Sequence, residues 1–172
     1  MIKSFNGKTP KIGKNVYIAE TAVLIGDVTL GDDVSVWDSA VLRADWNSIT
    51  VGRGSNIQDN ATVHVTDKCP VSIGEDCTVA HNAVLHGCTL KDGAFVGMGA
   101  IVMNDTVLGE NAFVAAGALV TERKNIEPRS CLMGLPAKNL GPILTDEDVE
   151  NTLNNARSYV RYKNMYLAEA KK

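Results

Sequence analysis

Aliphatic residues return every six positions along the first part of the chain: Ile12, Ile18, Leu24, Leu30, Val36 and Leu42. The series resumes at Val51, Ile57 and Val63, again at Ile73, Val79 and Leu85, and then runs without interruption from Leu90 through Val96, Val102, Leu108, Val114, Val120 and Ile126 to Leu132. Four residues after most of these stands a small or β-branched one, among them Ala22, Val28, Ala40, Ala61, Cys77, Ala83, Ala100 and Ala118. One large and one small inward residue per hexad predicts short flat strands joined by tight corners, with three strands and about eighteen residues to a coil. The expected fold class is therefore an all-β solenoid, a parallel β-helix of hexapeptide repeats, with about seven coils between Ile12 and Lys138. Gly31-Asp32-Asp33, Gly74-Glu75-Asp76 and Gly109-Glu110-Asn111 supply corners that need a positive φ or side-chain to backbone bonds.

The pattern breaks at Gly134-Leu135-Pro136-Ala137-Lys138, because Pro136 cannot donate to a central ladder. A helix is predicted to follow. Thr145 is a good N-cap, Asp146, Glu147 and Asp148 suit the first turn, and Val149, Leu153, Ala156, Val160 and Leu167 fall mostly on one stripe. The domain reading is residues 1–138 as β-helix, then 139–172 as linker and C-terminal α-helix packed on it.

Composition narrows the function classes. Only 5% of the 172 residues are aromatic, so the core is built of Val, Ile, Leu and Ala in thin layers. The net charge of -3 offers no basic field, which argues against a nucleic-acid partner and against an anionic membrane. No apolar run has the length of a signal peptide or a membrane span, so a soluble, cytoplasmic protein is expected. Cys69, Cys77, Cys88 and Cys131 are too sparse for a disulfide framework and read as reduced thiols.

The three histidines, His64, His81 and His86, all fall in one short stretch beside Gln58 and Asp59. Imidazole is the commonest metal ligand, and three of them with a fourth position open make a catalytic zinc centre. The irregularities of the period place them. Leu42 to Val51 carries three extra residues, Val63 to Ile73 four, and Leu85 to Leu90 one fewer. His64 follows Val63 and His86 follows Leu85 three hexads on, so both occupy the same row of successive coils, with Arg43 one coil earlier. Strands about 4.8 Å apart let two such imidazoles converge on one ion. His81 belongs to a different face, over Asp59, and reaches the other two only across a three-fold interface. The expectation is a homotrimer with metal sites between subunits.

These residues carry a resemblance. Arg43-x-Asp45, Asn56-x-Gln58-Asp59, His64 and His81-x4-His86 are similar to the motifs of the gamma-class carbonic anhydrases and their hexapeptide-repeat homologues, over nearly the whole chain. The resemblance implies a left-handed β-helix, a hand that the period alone does not set. It implies Zn2+, alternatively Fe2+ or Co2+, held by His64, His81 and His86, with His81 from the neighbouring subunit. It implies reversible hydration of carbon dioxide to bicarbonate by hydroxide on that metal, with Gln58 orienting the hydroxide. Arg43 and Asp59 would join subunits beside the metal, Asp45 would help fix Gln58, Asn56 would contact the substrate, and Tyr159 would border the pocket.

The chain departs from the family's most active pattern. The loop after His64 is only Val65-Thr66-Asp67-Lys68-Cys69-Pro70, and Trp46 follows Asp45 where an acidic residue is usual. Loss of a proton relay slows turnover without abolishing metal binding; Asp67 is a candidate substitute. Two other readings stand beside the lyase: a hexapeptide acyltransferase or thioesterase acting on a coenzyme A thioester, for which Gly134-x-Pro136-Ala137-Lys138 is the motif, and a non-catalytic metal-binding trimer.

Overall fold

The computed structural model describes residues 1–170; Lys171 and Lys172, the end of the expected helical segment, lie outside the described residues. The chain winds as a parallel β-solenoid with three faces. The first face stacks Ile2–Lys3, the leading halves of the long strands Val23–Leu30 and Val41–Val51, then Thr62–His64, Val84–His86, Ile101–Val102 and Leu119–Val120. The second stacks Lys11–Ile12, the trailing halves of the same long strands, then Val71–Ile73, Thr89–Leu90, Val107–Leu108 and Asn125–Ile126. The third runs from Tyr17–Ile18 through Ser35–Val36, Asn56–Ile57, Thr78–Val79, Phe95–Val96 and Phe113–Val114 to Cys131–Met133. Among the described residues each face thus counts seven parallel strands, one for each coil the period predicted.

The hexad positions form the core because each aliphatic side chain lands on its equivalent one coil away. Leu42, Val63, Leu85 and Val102 are register partners in turn, and all are fully buried, as are the small residues Ala61, Ala83 and Ala100 beside them. Cutting one of these columns with a Leu→Ala change costs about 2–5 kcal/mol, since a close-packed layer relaxes little into the cavity.

The corners divide their labour differently from the expectation. In the three Gly-x-Asp/Asn corners the positive φ is taken by the third residue, at 60° for Asp33, 51° for Asp76 and 55° for Asn111. The glycine serves close approach instead: a Cβ on Gly109 would lie 2.5 Å from the backbone nitrogen of Pro128 in the next coil. The insertion between Leu42 and Val51 is absorbed inside the strand Val41–Val51, which turns the corner from first to second face with a register shift against Gly26–Val28.

After Met133 the chain reverses, so that Lys138–Asn139 pairs antiparallel with Cys131–Met133 and closes the last coil. The helix spans Asp146–Glu169, opened by a capping box in which Thr145 and Asp148 exchange side-chain to backbone bonds. It runs back over the third face toward the first coils, with Asn155 at Thr78, Tyr159 against Trp37 and Tyr166 against Tyr17. Val149, Ala156 and Lys163 are its buried residues, whereas Leu153, Val160 and Leu167 of the expected stripe are only half-buried. Lys163, fully buried, reaches Asp33 at 3.0 Å and so ties the helix to a corner of the solenoid.

Candidate metal centre

His64 and His86 are direct register partners at the ends of Thr62–His64 and Val84–His86, and Arg43 precedes them in the same row. The two rings face one another with His64 Nδ1 3.0 Å from His86 Nε2. Nitrogens bound to one zinc at 2.0–2.1 Å with tetrahedral angles are about 3.3 Å apart, so the pair already stands near the spacing of two ligands.

The outer nitrogens are held as well. His64 Nε2 lies 3.0 Å from Asp45 Oδ1, and Arg43 donates to the other oxygen of Asp45. Burial by itself would raise the Asp45 carboxyl, but the hydrogen bonds from His64 and Arg43 outweigh it and hold the group below the usual carboxylate range. An ionised Asp45 only accepts, so Nε2 of His64 carries the proton and Nδ1 is a bare electron pair. On the other side His86 Nδ1 lies 2.6 Å from Asn104 Oδ1, while Asn104 Nδ2 donates to Glu122 Oε1 at 2.9 Å. That makes Nδ1 of His86 the donor and leaves Nε2 bare. Two electron pairs therefore point at each other across 3.0 Å, an arrangement that a cation between them resolves. Donation of the outer ring N–H to a carboxylate or carbonyl is also the usual support of a metal-bound histidine. The residues present fit a metal.

His81 is elsewhere. It sits in the corner between third and first faces, at the opposite edge of the first face from His86, with Nδ1 2.9 Å from Asp59 Oδ2 and both side chains 40% exposed. Among the described residues no group of three or more His, Cys, Asp or Glu side chains is placed to hold a metal within one chain.

Gln58 and Asn56 are buried beneath the helix, Gln58 Nε2 donating to Asn56 Oδ1 at 2.9 Å and Asn56 Nδ2 to Thr78 Oγ1 at 3.0 Å. Within the chain Asp45 and Gln58 do not meet. Asp45 is committed to Arg43 and His64 on the first face, and Asn56 is what holds Gln58. Arg43 likewise pairs with Asp45 inside the chain, and Asp59 with His81. Tyr159 packs its ring on Trp37; burial, with the nearby Asp59 charge adding to it, pushes its hydroxyl up. A cavity of about 260 Å³ opens beside the histidine pair, lined by Trp46, His64, Val65, Thr66, Asp67 and His86.

The family model for the bacterial transferase hexapeptide (six repeats) matches residues 9–44 and 87–122. A probable carbonic anhydrase of Methanocaldococcus jannaschii is 44% identical over 150 residues, covering 87% of this chain and 94% of that protein. The chain belongs to the gamma-carbonic-anhydrase-like hexapeptide-repeat family. Another member of this family, Gamma carbonic anhydrase 2, mitochondrial, of Arabidopsis thaliana, is 42% identical over 96% of the chain, which spans 61% of that protein's length. The family fold is matched by the crystal structure of a hexapeptide transferase family protein from Anaplasma phagocytophilum. It has a TM-score of 0.92 and 38% identity, covering 96% of this chain and 98% of that one.

Asn104 and Glu122 were not legible as site residues, although a signal existed: Glu122 lies one eighteen-residue coil after Asn104, and Asn104 lies eighteen residues after His86.

Proposed function

We propose that the protein is a metal-dependent enzyme hydrating carbon dioxide reversibly to bicarbonate, working as a homotrimer with the metal between subunits. The observation that carries this reading is His64 Nδ1 and His86 Nε2 facing each other at 3.0 Å, with the outer ring nitrogens held by Asp45 and Asn104, while the third histidine stands on the far edge of the same face. Family members named as carbonic anhydrases support the substrate. His64 and His86 of one subunit would hold the ion with His81 of the next, and Arg43 would meet Asp59 across the same interface. Zinc, or iron or cobalt, supplies an acidified water at neutral pH when bound.

The chain's own residues do the rest. Asp45 and Asn104 fix the histidine tautomers. With its amide nitrogen committed to Asn56, Gln58 has its carbonyl oxygen left to accept a hydrogen bond from the reacting water and orient it. Trp46 walls the cavity with an apolar ring suited to carbon dioxide. Asp67 is the one carboxylate lining that cavity, so it is the group that takes the proton outward, and turnover is slow and buffer-dependent. Four unpaired cysteines agree with a reducing, cytoplasmic setting. Among the described residues no helix is long and apolar enough to cross a membrane.

The test is stopped-flow carbon dioxide hydration on protein loaded separately with zinc and with iron under anaerobic conditions, beside His81→Ala. At least one metal form should exceed the variant; if none does, the activity is refuted. Sedimentation should give a trimer for both proteins while the variant loses metal. One observation favours a second reading: His81 with Asp59 at 2.9 Å is a half-exposed imidazole–carboxylate pair, the general base that an acyl transfer on a coenzyme A thioester requires. Thioester cleavage abolished by His81→Ala in metal-free protein would select it.

A further inference from the structure

The polar row does not end at the histidines. It continues through two residues that do not line the cavity beside the rings, and their order is directional. Glu122 Oε1 accepts from Asn104 Nδ2 at 2.9 Å, and Asn104 Oδ1 faces His86 Nδ1 at 2.6 Å. A primary amide can present either its oxygen or its nitrogen to a neighbour, and the two choices demand opposite tautomers of that neighbour. With the carboxylate of Glu122 on one side, only the amide nitrogen can face it. The oxygen must then face His86.

We propose that Asn104 and Glu122 are positioning residues of the metal centre, Glu122 holding the Asn104 amide in the one orientation that keeps the proton on Nδ1 of His86 and its Nε2 free for a cation. The inference rests on the metal-binding reading above. Gly87 gives it a second, independent support. A Cβ at this position would stand 2.8 Å from Asn104 Oδ1 and 2.7 Å from the Cβ of Cys69. The residue next to His86 therefore lacks a side chain where the Asn104 oxygen passes. Arg123, its side chain 76% exposed, lies 3.4 Å from the other oxygen of Glu122 and adds a weak surface pair there.

Zinc affinity is measured by competition with a chromophoric chelator in the whole wild-type protein, in His64→Ala, in Asn104→Ala and Glu122→Ala, and in the double variant Asn104→Asp with Glu122→Gln. Cobalt absorption spectra are recorded on each. Loss of the outer partner weakens binding by about 10–100-fold, so both alanine variants should fall in that range with altered cobalt bands and an unchanged melting temperature of the metal-free protein. The double variant reverses the donor and acceptor between the two positions. Its new carboxylate still accepts from His86 and takes a hydrogen bond from the new amide, so affinity should return to near the wild-type value. Wild-type affinity in both alanine variants would overturn the proposal. So would an equal loss in all three variants accompanied by lower melting temperatures, which marks a merely structural role. Wild type that binds no zinc, or binds it equally after His64→Ala, would instead bring down the metal reading itself.

Discussion

Two chains of polar side chains climb this solenoid, one on the first face and one on the third, and they end differently. Beneath the terminal helix, Gln58 donates to Asn56 at 2.9 Å, Asn56 to Thr78 at 3.0 Å and Thr78 to Asn155 of the helix at 3.3 Å. Every bond in that ladder has a donor and an acceptor. On the first face the ladder runs from Arg43 and Asp45 to His64, and from Glu122 and Asn104 to His86, each half well ordered by itself. Where the halves meet, the two inner nitrogens face each other at 3.0 Å, both left as acceptors when the outer nitrogens carry the protons. Satisfied buried polar groups specify a fold, whereas a polar network left incomplete at a single point specifies a ligand.

The difference can be broken from either side. The largest effect is expected at the open junction: His86→Ala should lower zinc affinity by more than about 100-fold, the loss of a ligand exceeding that of an outer partner, while the metal-free protein melts at nearly the wild-type temperature. A large fall in that melting temperature would show the histidine row to be a structural ladder like its counterpart. At the closed ladder the balance inverts. Asn56→Ala strands the Gln58 amide in a buried site and should cost roughly 1–3 kcal/mol in urea unfolding, with zinc affinity little changed.

A smaller effect sharpens the role of the helix. The hydrogen bond from Lys163 to Asp33 holds the Asp33 carboxyl below its ordinary value of 3.8. A depressed folded value means that this contact stabilises the protein above the ordinary value and loses its contribution as pH falls through the lowered one. Asp33→Asn, which keeps a residue at ease with the left-handed backbone there, should therefore cost roughly 1–2 kcal/mol at pH 7, because it leaves the buried Lys163 ammonium facing a neutral amide, and the gap to wild type should close below about pH 4. A gap that persists in acid would assign the loss to packing. The smallest signal concerns the thiols. Burial pushes Cys77 and Cys88 up to about 12, so a thiol reagent at pH 8 should leave both untouched until denaturant is added.

Much of this was legible beforehand because a solenoid converts counting into proximity. Once the extra residues after Leu42 and Val63 are recognised, the sum that puts His86 over His64 and His81 over Asp59 needs no knowledge of side-chain geometry, and both contacts are present. Counting fails where a side chain leaves its own row. Asp45 reaches His64, 19 positions on, a pairing that no count announces. Lys163 was invisible because an apolar stripe cannot announce a buried ammonium whose partner is 130 positions away. Asn104 escaped notice because an amide carries no chemistry of its own until the direction of its hydrogen bonds is seen. The corners were half legible: the Gly and Asp or Asn residues were identified, but which takes the left-handed backbone depends on where adjacent coils press together.

The loop between Val65 and Val71 behaves like punctuation in a text read in groups of six. Upstream and downstream strands re-enter the same register across it, Val51 beside Ile73 and Val63 beside Leu85, so its length can drift without changing the meaning of anything that follows. Between Val79 and His86 there is no such pause, and one residue lost there shifts the phase of His86 out of its row. Natural variation in proteins built this way should accordingly collect in the loop, where it retunes the approach to the histidine pair, and be rare in the stretch that keeps the count.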